Sequence, residues 1–93
     1  QTFASHDEKV VPSNYILSDA LYRRATCYLK LQKYEYATFD LEAILKLEVE
    51  PFKAFAFHLR GSIALHEKRY QDCIDDNSQA LSLYGTIILA LRD

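Results

Sequence analysis

Glycine and proline are scarce in this chain, two of each in 93 residues. A turn-rich all-β fold needs more chain-reversing residues than that, so the shortage points to long helices. Cysteine is equally rare. Cys27 and Cys73 are too few for a disulfide scaffold. Both fall inside helical patterns and are expected to be small buried residues of a reduced, cytoplasmic protein. No block of like charge occurs either. Eleven basic and 13 acidic residues are spread along the chain for a net charge of −2, which leaves no surface suited to nucleic acid or membrane. The longest apolar run near the end, Ile87 to Leu91, is far short of the ~20 residues that span a bilayer. The opening Gln1-Thr2-Phe3-Ala4-Ser5-His6-Asp7-Glu8 has no apolar stretch of the signal-peptide kind. It also lacks a starting methionine, as a fragment or processed chain would.

Catalytic and metal-binding patterns are missing too. His58 and His66 stand eight apart with no carboxylate or thiol at ligand spacing. Asp72, Asp75 and Asp76 form an acidic helix face without the alternating oxygen ligands of a calcium loop. There is no glycine-rich phosphate loop, and Cys27 has no histidine close in sequence to activate it. The expectation is a protein that is not an enzyme and carries no metal or cofactor.

What the chain has is apolar content, 49%, enough for one packed domain with a modest core. Residues 1–12 show no period and read as a tail or linker, with Val10, Val11 and Pro12 as a leading strap. Ser13 or Ser18 can cap the first helix. Leu21, Ala25, Tyr28 and Leu29 then recur at helical spacing, which predicts a helix over about 13–31. After a turn at Gln32-Lys33, Tyr34, Ala37, Leu41, Ile44 and Leu45 define a second helix over 34–47. Pro51 suits the first turn of a third, running to about 66, with Phe57, Gly61 and Ala64 inward. A fourth, over 70–83, turns Tyr70, Cys73, Ile74, Asn77, Ala80 and Leu81 inward. Gly85 is expected to close it in a left-handed cap, leaving 84–93 as a short capping helix or the start of another unit.

The second half repeats the first. A shift of thirty-six residues aligns Arg24 with Arg60, Leu29 with Leu65, Tyr34 with Tyr70, Asp40 with Asp76, Leu45 with Leu81 and Leu47 with Leu83. Small residues fall at matching steps, Ala25 with Gly61 and Ala37 with Cys73. Self-similarity at this period marks stacked helical units, because one helix pair cannot bury both of its faces. Ala25 and Gly61 are expected to receive the rings of Tyr34 and Tyr70.

At Leu21, Ala25, Tyr28, Ala37, Leu41 and Ile44, and again at Phe57, Gly61, Ala64, Cys73 and Ala80, the chain resembles the tetratricopeptide repeat family. Arg24 and Arg60 stand where that family commonly has leucine, and Pro51 comes later than its usual proline. The resemblance implies an all-α fold: a right-handed superhelical stack of antiparallel helix pairs, 13–47 and 51–83, plus a short terminal helix.

In that family the first helices of successive pairs line a concave groove. Here those helices offer Asp19, Tyr22, Arg23, Thr26 and Lys30, then Phe55, His58, Leu59, Ser62 and His66. Phe55, Leu59, Ser62 and His66 share one side of a helix. An apolar patch beside cations suits an extended peptide with an apolar side chain and a carboxylate. Leu21-Tyr22-Arg23-Arg24-Ala25 is similar to the segment with which co-chaperone members grip the acidic carboxyl terminus of heat-shock chaperones. Asp19 stands where those members carry lysine, and it can either occupy Arg23 or repel an acidic peptide. The expected function is therefore a protein- or peptide-binding adaptor or scaffold. The alternative is a structural segment of a longer solenoid, which stacks on further repeats or on another copy through its exposed ends. RNA binding fits the acidic balance less well.

Overall fold

The structure, a computed structural model, describes residues 10–92, and the side chains of 13–83. Among the described residues all regular structure is helical. The elements are α1 (Val10–Lys30), α2 (Tyr34–Leu47), α3 (Phe52–His66) and α4 (Tyr70–Arg92). No described helix is long and apolar enough to cross a membrane.

The two ends differ from the sequence expectation. Val10–Pro12, expected as a strap, are the first turn of α1, and Ser13 lies inside the helix rather than capping it. Proline is tolerated there because the first amides of a helix have no acceptor within it. The rest of the expected tail, residues 1–9, lies outside the described residues. At the other end α4 runs unbroken through Gly85 to Arg92, so the expected left-handed cap is not formed and residues 84–92 continue α4 in place of a separate short helix. Apolar Ile87 to Leu91 continue the helical pattern, and one glycine costs a helix only about 1 kcal/mol.

The α1–α2 and α3–α4 turns are built alike. Lys33 N–H donates to Tyr28 O at 2.8 Å and Gln32 N–H to Leu29 O at 2.9 Å. Thirty-six residues on, Arg69 N–H donates to Ala64 O at 2.8 Å and Lys68 N–H to Leu65 O at 3.0 Å. This paired closure of the last carbonyls is the Schellman motif, which requires one left-handed residue. Gln32 (φ 62°) and Lys68 (φ 64°) supply it, without glycine's freedom from Cβ strain. Glu48 (φ 56°) ends α2 in the same region.

Contacts run in opposite chain directions across each turn: Arg24 meets Asp40, and Tyr28 meets Tyr36. The core lies where α1, α2 and α3 meet. It consists of Ala25, Ala37, Leu41, Ile44, Phe52, Ala56 and Ile63, flanked by Leu21, Tyr28, Leu29, Tyr34, Leu45 and Leu59. Burial of Leu41, Ile44 and Ile63 contributes about 1.5–3 kcal/mol each. Helix α3 packs on both α2 and α4, so it needs two covered faces. Phe52, Ala56 and Ile63, absent from the expected inner stripe, serve the first. Gly61 serves the second, where an added Cβ would stand 2.5 Å from Asn77 Nδ2 and 3.3 Å from Asp76 Cβ. Gly61 thus receives Asn77 and Asp76, not the ring of Tyr70.

Helix α4 departs furthest from expectation. Cys73, Asn77 and Ala80 are half-buried, but Tyr70, Ile74 and Leu81, expected inward, are exposed. Tyr34 and Leu45, the counterparts in α2 of Tyr70 and Leu81, pack against the core, and no described helix covers α4 in that way. Cys27 is exposed and Cys73 only half-buried, against the expectation of two buried thiols.

One polar device recurs in both halves. The Asp40 carboxylate, 1% exposed, accepts from Arg24 Nε and Nη2 at 2.8 Å each. Asp76 accepts from Arg60 Nε and Nη2 at 2.9 Å each. A two-bond fork of this kind fixes orientation as well as distance. It raises both guanidinium pKa values above the ordinary range, chiefly through the hydrogen bonds. Arg60 also reaches Glu42 of α2 at 3.7 Å.

Three stability outcomes follow. Gln32→Gly and Lys68→Gly relieve left-handed strain and should each raise unfolding free energy by about 1 kcal/mol in urea titrations; a loss would contradict the turn assignment. Ser18 is fully buried and its hydroxyl has no partner among the described residues, so Ser18→Ala should be neutral or stabilising by about 1 kcal/mol. Arg24→Ala should destabilise more than Asp40→Ala, because the exposed guanidinium can rehydrate whereas the buried carboxylate is stranded. The reverse order in parallel urea titrations would be inconsistent with that burial.

Candidate functional site

Among the described residues, a cluster of four aromatic rings lies between α1 and the start of α3. On α1, Tyr15, Asp19, Tyr22 and Thr26 are spaced four, three and four apart, which sets them along one face. On α3, Phe52 and Phe55 are three apart and face the same way. The rings form a connected cluster: Tyr15 to Phe52 at 5.0 Å, Tyr22 to Phe55 at 5.5 Å, Tyr22 to Phe52 at 6.1 Å and Phe52 to Phe55 at 6.2 Å. The tilted and edge-on arrangements are those that aromatic quadrupoles favour.

These residues, with Arg23, Cys27 and Pro51, line a cleft of about 640 Å³. Phe52 is its floor, 5% exposed, and the rings of Tyr15 and Phe55 stand about half in solvent. The rim is polar. Arg23 Nε donates to both carboxylate oxygens of Asp19 at 3.1 Å. Of the two outcomes the sequence left open for Asp19, pairing with Arg23 is the one observed. Arg23 remains 77% exposed at its side chain, and Asp19 engages Nε alone. An exposed i,i+4 pair of this kind contributes only about 0.3–0.5 kcal/mol, so another carboxylate can displace it.

Asp19, Tyr22, Arg23, Thr26 and Phe55, all expected in the groove, come together here. The Thr26 hydroxyl donates to Tyr22 O at 2.9 Å. The other expected groove residues are not in this cleft. Lys30 is exposed at the far end of α1. His58 Nδ1 lies 3.1 Å from Asn77 Oδ1 of α4, and Ser62 Oγ donates to His58 O at 3.1 Å. Leu59 is half-buried against the core. The His66 ring stacks on Tyr34 at 4.7 Å. Helix α3 therefore divides its face among three neighbours, which its spacing alone does not reveal.

Tyr15 and Phe52 are cleft residues that the groove assignment did not include. The seven-residue spacing of Tyr15 and Tyr22, two full turns, was the available signal. A second depression, of about 490 Å³, lies between α2, α3 and α4 and is lined by Arg60, Arg69, Asp72, Asp75 and Asp76 among others. Its cations are already committed: Arg60 to Asp76 and Glu42, and Arg69 to Glu67 and Asp72. Hydrogen bonds to Glu67 and then Asp72 raise the Arg69 pKa above its ordinary range. That leaves little net attraction for a charged ligand. Among the described residues, no three histidine, cysteine or carboxylate side chains converge to hold a metal ion.

No protein-family model, curated protein or solved structure matches the chain.

Proposed function

We propose that this chain is a protein-interaction module of the tetratricopeptide kind. In this reading its antiparallel helix pairs, α1–α2 and α3–α4, follow a right-handed superhelical path and hold an extended peptide in the cleft between α1 and α3. The observation that carries the reading is the aromatic cleft itself. Its four rings are fixed by two helices, with the outer two half in solvent and a displaceable charge pair on the rim. Support for the repeat comes from features that recur thirty-six residues apart: the left-handed turn residues and the Arg–Asp forks.

The chemistry of the ligand follows from the cleft. A large apolar side chain fills the space over Phe52 between Tyr15, Tyr22 and Phe55. A carboxylate within a few residues of it replaces Asp19 on Arg23, taking the two Nη donors as well. Apolar burial supplies most of the affinity, because the charge contact is exposed and screened by salt. An acidic, apolar-ended segment such as a chaperone's carboxyl terminus belongs to this class. A cytoplasmic adaptor or scaffold, including a co-chaperone, is the setting that this reading fits. Asp19 makes such a clamp weaker than one with lysine at that position.

Titration calorimetry with a short acidic peptide ending in an aromatic or aliphatic residue tests the proposal. Phe55→Ala should weaken binding by roughly tenfold, the loss of about 1.5 kcal/mol of apolar contact. Asp19→Lys should strengthen it by freeing Arg23. Equal affinity for the native chain and both variants would exclude the cleft as the peptide site.

A further inference from the structure

The internal repeat shows what each outer helix is built to touch. Inside the molecule, α2 and α3 form a closed interface. Helix α3 brings Phe52, Ala56 and Ile63 into the core, and all three are buried. Helix α2 brings Leu41 and Ile44, with Tyr34 and Leu45 packed at the edges. A shift of thirty-six residues carries each side of that interface to an outer helix of the described chain.

On α1 the counterparts of Phe52, Ala56 and Ile63 are Ile16, Ala20 and Cys27. All three are exposed, Ile16 at 65%. They lie four and seven apart on one stripe of the helix, about a quarter turn from the stripe carrying Tyr15, Tyr22 and Thr26. On α4 the counterparts of Tyr34 and Leu45 are Tyr70 and Leu81, 57% and 64% exposed, and Ile74, 57% exposed, falls on the same stripe. The two outer helices of the described chain thus carry exposed stripes that correspond to parts of the two sides of the α2–α3 interface.

We infer that a second copy of this chain covers α4 with its own α1, in the geometry with which α3 covers α2. Where Tyr34 stacks on His66, Tyr70 meets Lys30, a cation on an aromatic ring. The contact joins two different surfaces, so it is heterologous and leaves a free α1 at one end and a free α4 at the other. Such an assembly grows head to tail instead of stopping at two. This inference does not depend on the cleft, and loss of peptide binding would leave it standing.

Light scattering and sedimentation equilibrium of the full chain test it. The weight-average mass should rise with concentration and pass that of a dimer. Ala20→Arg blocks the α1 stripe and Leu81→Arg blocks the α4 stripe, and each variant alone should remain monomeric. Both positions are exposed, so the fold should be retained, as circular dichroism melting will show. If either fails to fold, Ile16→Asp and Ile74→Asp serve in their place. Mixing the two blocked variants should restore a 1:1 dimer that grows no further, because one intact α1 and one intact α4 remain. A native chain that stays monomeric, a dimer that survives Ala20→Arg, or a monomeric mixture would each overturn the proposal.

Discussion

A buried carboxylate that must be answered from the neighbouring helix is the constraint around which each half of this protein is set. Asp40 lies on the covered side of α2, next to Ala37, Leu41 and Ile44. Left alone there it would cost several kcal/mol. The Arg24 fork answers it with two bonds at 2.8 Å, and that geometry is satisfied only when α1 and α2 hold one register and one rotation. Asp76 and Arg60 repeat the condition for α3 and α4. Apolar contacts among Ala25, Ala37 and Leu41 tolerate some sliding, whereas a two-bond fork does not. The pairs therefore contribute less to net stability than to the uniqueness of the helix arrangement.

That arrangement determines where the surface features fall. With α1 rotated so that Arg24 reaches α2, Ala25 faces the core, and Tyr15 and Tyr22 are turned toward α3. Phe52 and Phe55 then meet them. The same rotation leaves Ile16, Ala20 and Cys27 on a stripe facing solvent. The cleft and the outer stripe are thus two consequences of one packing condition.

The left-handed residues add a second constraint. Gln32, Lys68 and Glu48 hold φ values that favour glycine, yet the chain uses polar side chains there. The turns at Gln32 and Lys68 close their helices' last carbonyls with the same pair of bonds, whereas Glu48 makes a single bond to Ile44 O, and the tertiary fold sustains the strain. Recurrence of the conformation at Gln32 and Lys68 argues that it belongs to the helix-pair design and is not an accident of one loop.

The sequence by itself determined the helices, their short turns and the repeat. Three-and-four spacing of apolar residues sets one face per helix, and scarcity of glycine and proline leaves little to interrupt it. Leu41 and Ile44 could be read as core directly. Arg24, Arg60, Asp40 and Asp76 were all visible as repeated residues, but their pairing was not, because it joins positions sixteen apart across a turn. Only the tertiary structure decided that α3 serves three neighbours, sending Phe55 to the cleft, Leu59 to the core and His66 to Tyr34. It also decided that Tyr70, Ile74 and Leu81 are exposed. A period fixes which residues share a stripe, but what covers that stripe depends on which helix lies beside it, and beside α4 the described chain supplies none beyond α3.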